Sequence, residues 1–483
     1  MRFRKKLKRL FGSSAIRVSQ SIGYDIKRIS DCSAEIAHLK SIKDIPQRLS
    51  AARELVRKYP DHPMPHYQLA LCMHITCEPQ VFRQFDLYGE VRRQWLIQTG
   101  LDELGLEFIW PGMVVGSVGN HYALEGLLNA NRLDLRPEKR PFLLLSHDLQ
   151  LRNEALFEYF EPYLTVIRNE EAIESLRELQ SNLTLPLGAC LTMHEGALYL
   201  DLAANWVDQT RKDKGLDGSL FRLKDNHFEK GVLALRQLGL PEDAWYVTLH
   251  VRQPGYRGEN SNTTTENWRN VNPMDYLKAV KLIVKEGGWV FRMGDPSMTP
   301  LPRMPQVIDY AHNSIRSDWM DVFLAASCRF CIGTASGFFR IPRYFGVPVI
   351  LTNLAQTVQY FSLREVDLFL PRLLRRRSNK TYLSFSELMS PPTSMFWSKK
   401  AFADSGLQWV DNSPEVLEAA TREMLQLTAS GTPPSHSDED LQKRFKAIAE
   451  ECGMKHGGRT VRAFANISYD FLSRHSDLLE GEA

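Results

Sequence analysis

A run of small residues, Gly333-Thr334-Ala335-Ser336-Gly337, stands between an apolar, strand-like segment and a segment with helical spacing. A loop of this kind gathers backbone N–H groups around one point, which suits an anion and above all a phosphate. Ser336 could cap the helix or donate to the same phosphate. The alternative is an ordinary strand-turn-helix connection that binds nothing, and the loop alone leaves both open.

A second candidate is the pair His250 and Arg252, at the end of a predicted strand that begins near Ala244. Residues two apart on a strand face the same way. In open α/β sheets the ligand lies beyond the carboxyl ends of the strands, and a guanidinium there suits a diphosphate. The alternative is a salt-bridged surface arginine beside a packed histidine.

Both candidates require a sheet that brings strand ends together. From about residue 107 onward, short apolar runs typical of buried strands alternate with segments of helical spacing. That alternation predicts parallel sheets of the doubly wound kind. The predicted fold class is α/β, with two Rossmann-like domains at 105–240 and 241–425.

The flanking segments are predicted to be mainly helical. Residues 31–104 read as helix, proline-containing turn and helix, which resembles a tetratricopeptide-type (TPR-like) hairpin and predicts an all-α extension. Residues 426–483 are predicted to form a linker and two helices, Leu441–Cys452 and Thr460–Leu479.

Three further segments carry specific expectations. Residues 108–116 (FIWPGMVVG) are predicted to form a buried strand, and residues 170–240 are predicted to be mostly helical. The basic run 372–377 could face an anionic membrane or an anionic acceptor, but a solvated loop is the preferred interpretation.

Composition narrows the function classes. The 483 residues are 43% apolar and 24% charged, as in a soluble globular protein, and a net charge of +3 gives no reason to expect nucleic acid as a partner. The basic arm at 1–30 opens with six Lys or Arg in its first eleven residues, so it is either a disordered tail or a peripheral contact with an anionic membrane. No run approaches a membrane span or a signal peptide. The expected location is cytoplasmic, with a possible peripheral position at the inner face of the membrane.

The seven cysteines are scattered, which favours reduced thiols. Cys328 and Cys331 have zinc-like or redox spacing, but they lie inside an apolar strand without a second Cys/His pair of matching spacing. Core packing is the preferred interpretation, and no metal is predicted.

The two candidate sites carry a family resemblance. LHVRQPGYRG, at 249–258, resembles the H-x-R strand motif of α-1,6- and protein O-fucosyltransferases, and residues 333–353 resemble the donor loop of that group and of heptosyltransferase-like enzymes. Over about 105–375, five motifs in order resemble a family of bacterial glycosyltransferases of surface-polysaccharide clusters: His250-x-Arg252-x-x-Gly255, Arg292-Met293-Gly294-Asp295, Asp309-Tyr310-Ala311, Arg316-Ser317-Asp318-Trp319 and Gly333-Thr334-x-Ser336-Gly337.

The resemblance implies a GT-B-like, metal-independent glycosyltransferase without a cofactor. Its second domain would bind a nucleotide sugar as the donor, and its first would bind a glycan or lipid-linked acceptor. The implied donor- and phosphate-binding residues are His250, Arg252, Arg292, Gly294, Gly333, Thr334, Ser336 and Gly337. Ala335 stands where heptosyltransferase-like loops often carry Asp, so the identity of the donor does not transfer.

An inverting transfer also needs a base for the acceptor hydroxyl. His121, after the glycines of 116–119, is a candidate because histidine titrates near neutral pH. Glu125, one turn later, could orient His121 or act as the base itself. The alternatives are a helix-capping role for His121, and Asp295 or Asp318 as the base from the donor side.

Two other classes of function remain open. One is a non-catalytic scaffold, in which the helical extension recruits partners and the α/β part is a decayed enzyme. The other is a sugar-nucleotide epimerase or hydrolase, since those enzymes also use two such domains. Donor hydrolysis without an acceptor would favour the second.

Overall fold

A computed structural model describes residues 22–78, 80–102, 105–136, 141–185, 190–194, 196–216, 219–254, 267–396, 399–431, 439–455 and 460–480. The predicted basic run 1–11, the loop 255–266 and the linker 432–438 lie outside these residues. The chain forms two compact units. Unit 1 runs to Arg152 and includes Phe160–Ala203, whereas unit 2 comprises Asn153–Tyr159 and the chain from Ala204 onward. These units differ from the predicted domains, because the helical extension joins the first α/β part and the division falls near 203 instead of 240.

Unit 1 begins with helices, two of which start at capping residues that can be recognised in the sequence. Asp44 caps one of them by accepting a hydrogen bond from Gln47 N at 2.8 Å, and His62 caps the next by accepting from Met64 N at 3.3 Å. Prolines in the first turn of both helices cost no hydrogen bond there. The helices are α1 (Ile22–Ser41), α2 (Ile45–Lys58), α3 (Pro63–Ile75) and α4 (Val81–Gln98).

A small parallel sheet follows in unit 1, as the alternating pattern predicts. Its order is β3-β2-β1-β4, and every pairing is parallel. The strands are β1 (Phe108–Ile109), β2 (Phe142–Leu144), β3 (Thr165–Ile167) and β4 (Thr184–Leu185). The helices of unit 1 between these strands are α5 (Gly112–Val115), α6 (His121–Arg132) and α8 (Glu170–Leu183). Two more helices, α7 (Glu154–Phe160) and α9 (Leu200–Asp213), belong for most of their length to unit 2.

One prediction for this part is wrong. The strand expected over 108–116 stops at Ile109, because Pro111 adopts a helical φ of −55° and starts α5. Residues 170–240 are mostly helical, as predicted, but they also contain an antiparallel hairpin, β5 (Cys190–Met193) and β6 (Gly196–Tyr199). Short apolar runs do not separate a buried strand from a helix by period alone. The likeness of α1–α4 to TPR hairpins stays a prediction.

Within the described residues, unit 2 is built on a parallel sheet of seven strands in the order β15-β12-β11-β10-β7-β8-β9. The chain adds strands outward from β7 in one direction and then outward from β10 in the other. The strands are β7 (Tyr246–His250), β8 (Trp289–Arg292), β9 (Val307–Ile308), β10 (Cys331–Thr334), β11 (Val349–Leu354), β12 (Leu368–Pro371) and β15 (Asn466–Ile467).

Helices and a second ribbon complete unit 2. The antiparallel pair is β13 (Leu373–Arg376) with β14 (Leu407–Val410). The helices are α10 (Asp225–Gln237), α11 (Leu277–Lys285), α12 (Asp318–Ser327), α13 (Arg340–Tyr344), α14 (Phe385–Met389), α15 (Lys399–Asp404), α16 (Pro414–Ser430), α17 (Glu439–Lys455) and α18 (Tyr469–Arg474). No helix in the described part of the chain is both long enough and apolar enough to cross a membrane.

The C-terminal helix predicted at Thr460–Leu479 is wrong. The segment instead adds β15 to the sheet and then forms the short helix α18. Glu423 on α16 accepts hydrogen bonds from Ser468 Oγ at 3.1 Å, from Tyr469 N at 3.0 Å and from Asp470 N at 2.9 Å. A carboxylate from a distant helix therefore satisfies the start of α18, which no local sequence pattern could show.

Of two smaller predictions, the one for the basic run is wrong and the one for the cysteine pair is confirmed. The basic run 372–377 is not a solvated loop, because Leu373–Arg376 forms β13 and the Arg372 side chain is fully buried. Cys328 and Cys331 are buried core residues, as predicted. Burial raises the pKa of the Cys328 thiol to about 12, which removes its reactivity at neutral pH.

The packing of unit 1 yields a test with a matched control. A Cβ at Gly89 on α4 would lie 2.6 Å from Ala197 N, whereas one at Gly126 on α6 would meet nothing closer than 3.7 Å. We expect Gly89→Ala to destabilise the protein by about 1–3 kcal/mol through overpacking. Gly126→Ala should stabilise it by about 0.5–1 kcal/mol through helix propensity. Urea unfolding measures both, and equal shifts would contradict this packing.

Candidate functional site

The carboxyl ends of β7 and β10 define the candidate site. These strands are neighbours, with His250 aligned to Gly333, and the strand order reverses between them. At such a reversal the loops after the two strands run to opposite faces of the sheet and leave a crevice. The resemblance motifs His250-x-Arg252 and Gly333–Gly337 both start here, so the sheet brings together residues that lie some 80 positions apart in sequence.

Side-chain hydrogen bonds tie the two strand ends to each other. Arg252 N donates to Thr334 Oγ1 at 2.9 Å, and Ser336 Oγ lies 3.1 Å from His250 Nδ1. The His250 ring also stacks on Phe338, with ring centres 5.2 Å apart and planes 18° apart. Thr334 is fully buried, so its hydroxyl serves this junction and is withheld from solvent. The loop and the strand end thus form one polar cluster.

His250 is not a cation in this cluster. Burial lowers the pKa of its ring to about 4, and the positive charge of Arg292 lowers it further. The neutral ring can hold the Ser336 hydroxyl through Nδ1, but it adds no charge for a phosphate. The positive charge at this edge comes from Arg252, whose Nη1 donates to Asn270 Oδ1.

Arg292 has a structural role in place of the predicted phosphate contact. Its side chain is almost fully buried. Its Nη2 donates to Gln253 Oε1 at 2.9 Å and to Thr299 O at 2.8 Å, and its Nη1 lies 3.2 Å from Asp309 Oδ1. A guanidinium that is spent on protein acceptors does not turn to a ligand without breaking these bonds, so we do not retain Arg292 as a donor-binding residue.

Gly294 is required by the backbone. Its φ of +141° lies in the region that favours glycine, and a Cβ would lie 2.3 Å from Met298 Sδ. Its carbonyl accepts from Arg316 Nε at 3.2 Å. The backbone conformation and the close approach of Met298 therefore explain why residue 294 is glycine, without the predicted contact with the donor.

Three of the motifs join into one network beside the site. Arg292 pairs with Asp309, Arg316 bonds to Gly294 O, and Ser317 N donates to Tyr310 Oη at 3.0 Å. These contacts hold the loops after β8 and β9 against the start of α12. Their ordered spacing in the sequence therefore reflects a scaffold for the crevice, as well as any ligand contacts.

The glycine loop is shaped by close packing. A Cβ at Gly333 would lie 3.0 Å from Phe339 Cβ, and Gly333 O accepts from Thr352 Oγ1 at 3.0 Å. Gly337 O accepts from Arg340 N at 3.4 Å, which opens the turn into α13. Ala335 is buried, whereas Ser336 and Gly337 are partly exposed. Among these loop residues, only Ser336 and Gly337 reach solvent to this extent.

The predicted base, His121, is sealed inside unit 1. Its ring has no exposed surface and packs against Phe160, with ring centres 5.3 Å apart. Burial lowers its pKa to about 4, and nearby backbone groups of Ser117 and Val118 only partly offset this effect. A ring without solvent contact cannot take a proton from a substrate hydroxyl in this conformation, so His121 is not retained. Glu125, one turn later, is partly buried.

The two alternative bases differ in their surroundings. Asp318 accepts a hydrogen bond from Glu154 N at 3.1 Å and so caps α7, which is a structural use of its carboxylate. Asp295 follows β8 and accepts from Ser297 N at 2.9 Å. Leu249 of β7 is paired with Arg292 of β8, so Asp295 follows at the same edge of the sheet as the β7 end.

Sequence reasoning missed Gln253, Arg269 and Asn270. Gln253 holds Arg292 and also bonds to Thr299 N at 3.1 Å. Arg269 Nη1 donates to Ala335 O at 3.4 Å, and Asn270 accepts from Arg252. The only signal in the sequence is their position in the long polar loop after β7, with Gln253 at its start and Arg269 and Asn270 near its end.

No metal cluster is evident in the described ranges, where no three His, Cys, Asp or Glu residues are grouped so as to hold an ion. The predicted metal independence stays a prediction.

Comparison with known proteins adds little. No protein-family model matches the chain, and no curated protein matches it in sequence. Among solved structures, the chain is similar to the iron-containing dodecameric glycosyltransferase TibC from enterotoxigenic E. coli H10407, with 14% identity and a TM-score of 0.30. The match covers 53% of this chain and 59% of TibC, so it spans less than two thirds of that protein.

The burial of His121 predicts a pH dependence of stability. Folding lowers its pKa from 6.5 to about 4, so the unfolded chain binds this proton more tightly. Stability from this group is therefore complete above pH 6.5 and is lost as the pH falls toward 4. We expect His121→Leu to reduce that acid-side loss by about 3 kcal/mol, measured by urea unfolding between pH 7.5 and 4.

The control for this prediction is His147→Leu. His147 is exposed, and its bond with Glu170 raises its pKa, so its removal should not protect the fold from acid. An unchanged pH profile in His121→Leu, or equal flattening in both variants, would mean that the ring is hydrated and able to act as a base.

Proposed function

We propose that the chain is a glycosyltransferase whose second unit binds a nucleotide-sugar donor at the carboxyl ends of β7 and β10. The observation that carries the proposal is the meeting of Arg252, Thr334 and Ser336 at the point where the strand order reverses. The order of motifs along the chain supports it, since this pattern resembles that of sugar-nucleotide-dependent transferases.

The chemistry of the cluster fits the diphosphate of such a donor. The Arg252 guanidinium offers a fixed fork of N–H donors to phosphate oxygens. In the His250 tautomer that carries its proton on Nδ1, the ring donates to Ser336 Oγ and leaves the hydroxyl hydrogen to be donated to a phosphate oxygen. Sugar transfer leaves negative charge on the departing diphosphate, and donors fixed before the reaction stabilise that charge at little reorganisation cost. In this proposal the transfer uses neither a metal nor a cofactor.

Asp295 takes the place of His121 as the candidate base. It follows β8, which is paired with β7, and so belongs to the same edge of the sheet. A carboxylate there could accept the proton of an acceptor hydroxyl. The acceptor itself, a surface glycan or a lipid-linked glycan, and a cytoplasmic position with peripheral membrane contact follow only from the family resemblance and the basic arm.

An epimerase or hydrolase of sugar nucleotides would use the same anion site. The classes differ in the fate of the sugar. A hydrolase releases free sugar without an acceptor, whereas a transferase releases little free sugar and bonds the sugar to an acceptor when one is present. Measurement of free sugar from labelled nucleotide sugars, with and without a polysaccharide or lipid-linked acceptor fraction, separates them. A scaffold protein would bind no nucleotide at all.

The donor site is tested by Arg252→Ala. We expect the affinity for nucleoside diphosphates to fall about tenfold to a hundredfold, because a charged hydrogen-bond donor is lost. Calorimetric titration with GDP, UDP and a CMP-type ligand measures the change. The matched control is Arg422→Ala on α16, whose guanidinium pairs with Glu418 on the surface of the same unit. If no nucleotide binds the wild type, or if all bind both variants equally, the proposal fails.

A further inference from the structure

A buried arginine clamps the segment that faces the candidate site. The Arg372 side chain is fully buried, and its Nε lies 2.7 Å from Asp411 Oδ1. Its Nη1 donates to Trp268 O, and its Nη2 donates to Asn270 O at 3.2 Å. One guanidinium therefore holds two carbonyls of a single short turn, on either side of Arg269.

The burial of Arg372 carries a large desolvation cost, which is recovered only if its hydrogen bonds are well made. The guanidinium carbon lies 5.8 Å from the centre of the Trp409 ring. The polar partners of the side chain are the carbonyls of Trp268 and Asn270 and the partly exposed carboxylate of Asp411. The Arg372 side chain therefore fixes the position of the turn at 268–270. Any effect of Arg372 on the candidate site would act through the contacts that this turn makes.

The clamped turn touches both halves of the candidate site. Asn270 Oδ1 accepts from Arg252 Nη1. Arg269 reaches the glycine loop, where its Nη1 donates to Ala335 O at 3.4 Å, and its guanidinium carbon lies 5.8 Å from the centre of the Trp268 ring. Trp268 is almost completely buried, so it forms a rigid base for the partly buried Arg269.

We propose that Arg269 is a second phosphate-binding residue of the donor site and that Arg372 is the residue that positions it. The inference rests on the proposed function and adds the source of the second positive charge. A nucleoside diphosphate carries more than one negative charge, whereas His250 is neutral and Arg292 is bonded elsewhere. The contact of Arg269 Nη1 with Ala335 O, at 3.4 Å, is long for a hydrogen bond. It shows that the guanidinium reaches the glycine loop, where a phosphate held by that loop would meet it.

The first test is Arg269→Gln, with GDP and UDP as probes. We expect a loss of about tenfold to a hundredfold in affinity and a weaker dependence on salt than in the wild type, because one charge contact is removed. The Arg422→Ala variant should bind as the wild type does. If the wild type binds and Arg252→Ala weakens binding, but Arg269→Gln binds normally, this inference is overturned while the donor site stands. If the wild type binds neither probe, both fail.

The positioning role is tested by a double-mutant cycle. Arg372→Lys keeps a charge but cannot hold two carbonyls and Asp411 with the same planar fork. If Arg372 acts through Arg269, it should weaken binding strongly in the wild type and much less in the Arg269→Gln background. Equal losses in both backgrounds would show that Arg372 is merely structural.

Asp411→Asn provides a second route should Arg372→Lys fail to fold. It keeps the shape of the partly exposed side chain and removes only its charge from the clamp. A binding loss that depends on Arg269, at an unchanged melting temperature, supports positioning. A lower melting temperature with unchanged nucleotide affinity overturns it.

Discussion

The parallel pairing of β7 with β10 is the constraint on which the rest of unit 2 depends. It places His250 opposite Gly333, and it places the carboxyl ends of both strands at the same edge of the sheet. Because later strands extend to either side of this pair, the strand order reverses between β7 and β10, which is the position at which open α/β sheets bind ligands. The polar cluster forms there because Arg252 N and the Ser336 hydroxyl find partners on the opposite strand end or loop. An antiparallel pair would have separated them.

Two buried arginines hold in place the loop and the turn that border this edge of the sheet. Arg292 fixes the loop after β8 through Gln253 and Asp309, and Arg372 fixes the turn at 268–270 through two carbonyls. The Nη atoms of each guanidinium donate to protein acceptors, so an anion would have to displace these bonds. The charge of Arg292 also helps to keep the His250 ring neutral.

The sequence was most informative where function and fold use the same local pattern. The strand, glycine loop, short helix and strand of 330–353 follow from apolar runs separated by small residues, and the structure has all four. It was least informative where a partner lies far along the chain. The cap that Glu423 provides for α18 and the sealing of His121 by Phe160 join residues through tertiary packing, and neither leaves a local pattern. A histidine beside glycines therefore looked catalytic although its surroundings are apolar.

The ordered motifs contain residues that hold loops in place as well as residues that could bind a ligand. A motif read from one sequence does not distinguish a residue that touches a ligand from one that holds the loop in place, because both tolerate few replacements. Burial makes that distinction. Arg292 is inside a network of protein acceptors, whereas Ser336 and Arg269 keep part of their surface open beside the glycine loop. In the proposed donor site, the charge that a diphosphate requires would thus come from Arg252 and Arg269, near the two ends of the loop after β7, and not from Arg292 of the Arg292-Met293-Gly294-Asp295 motif.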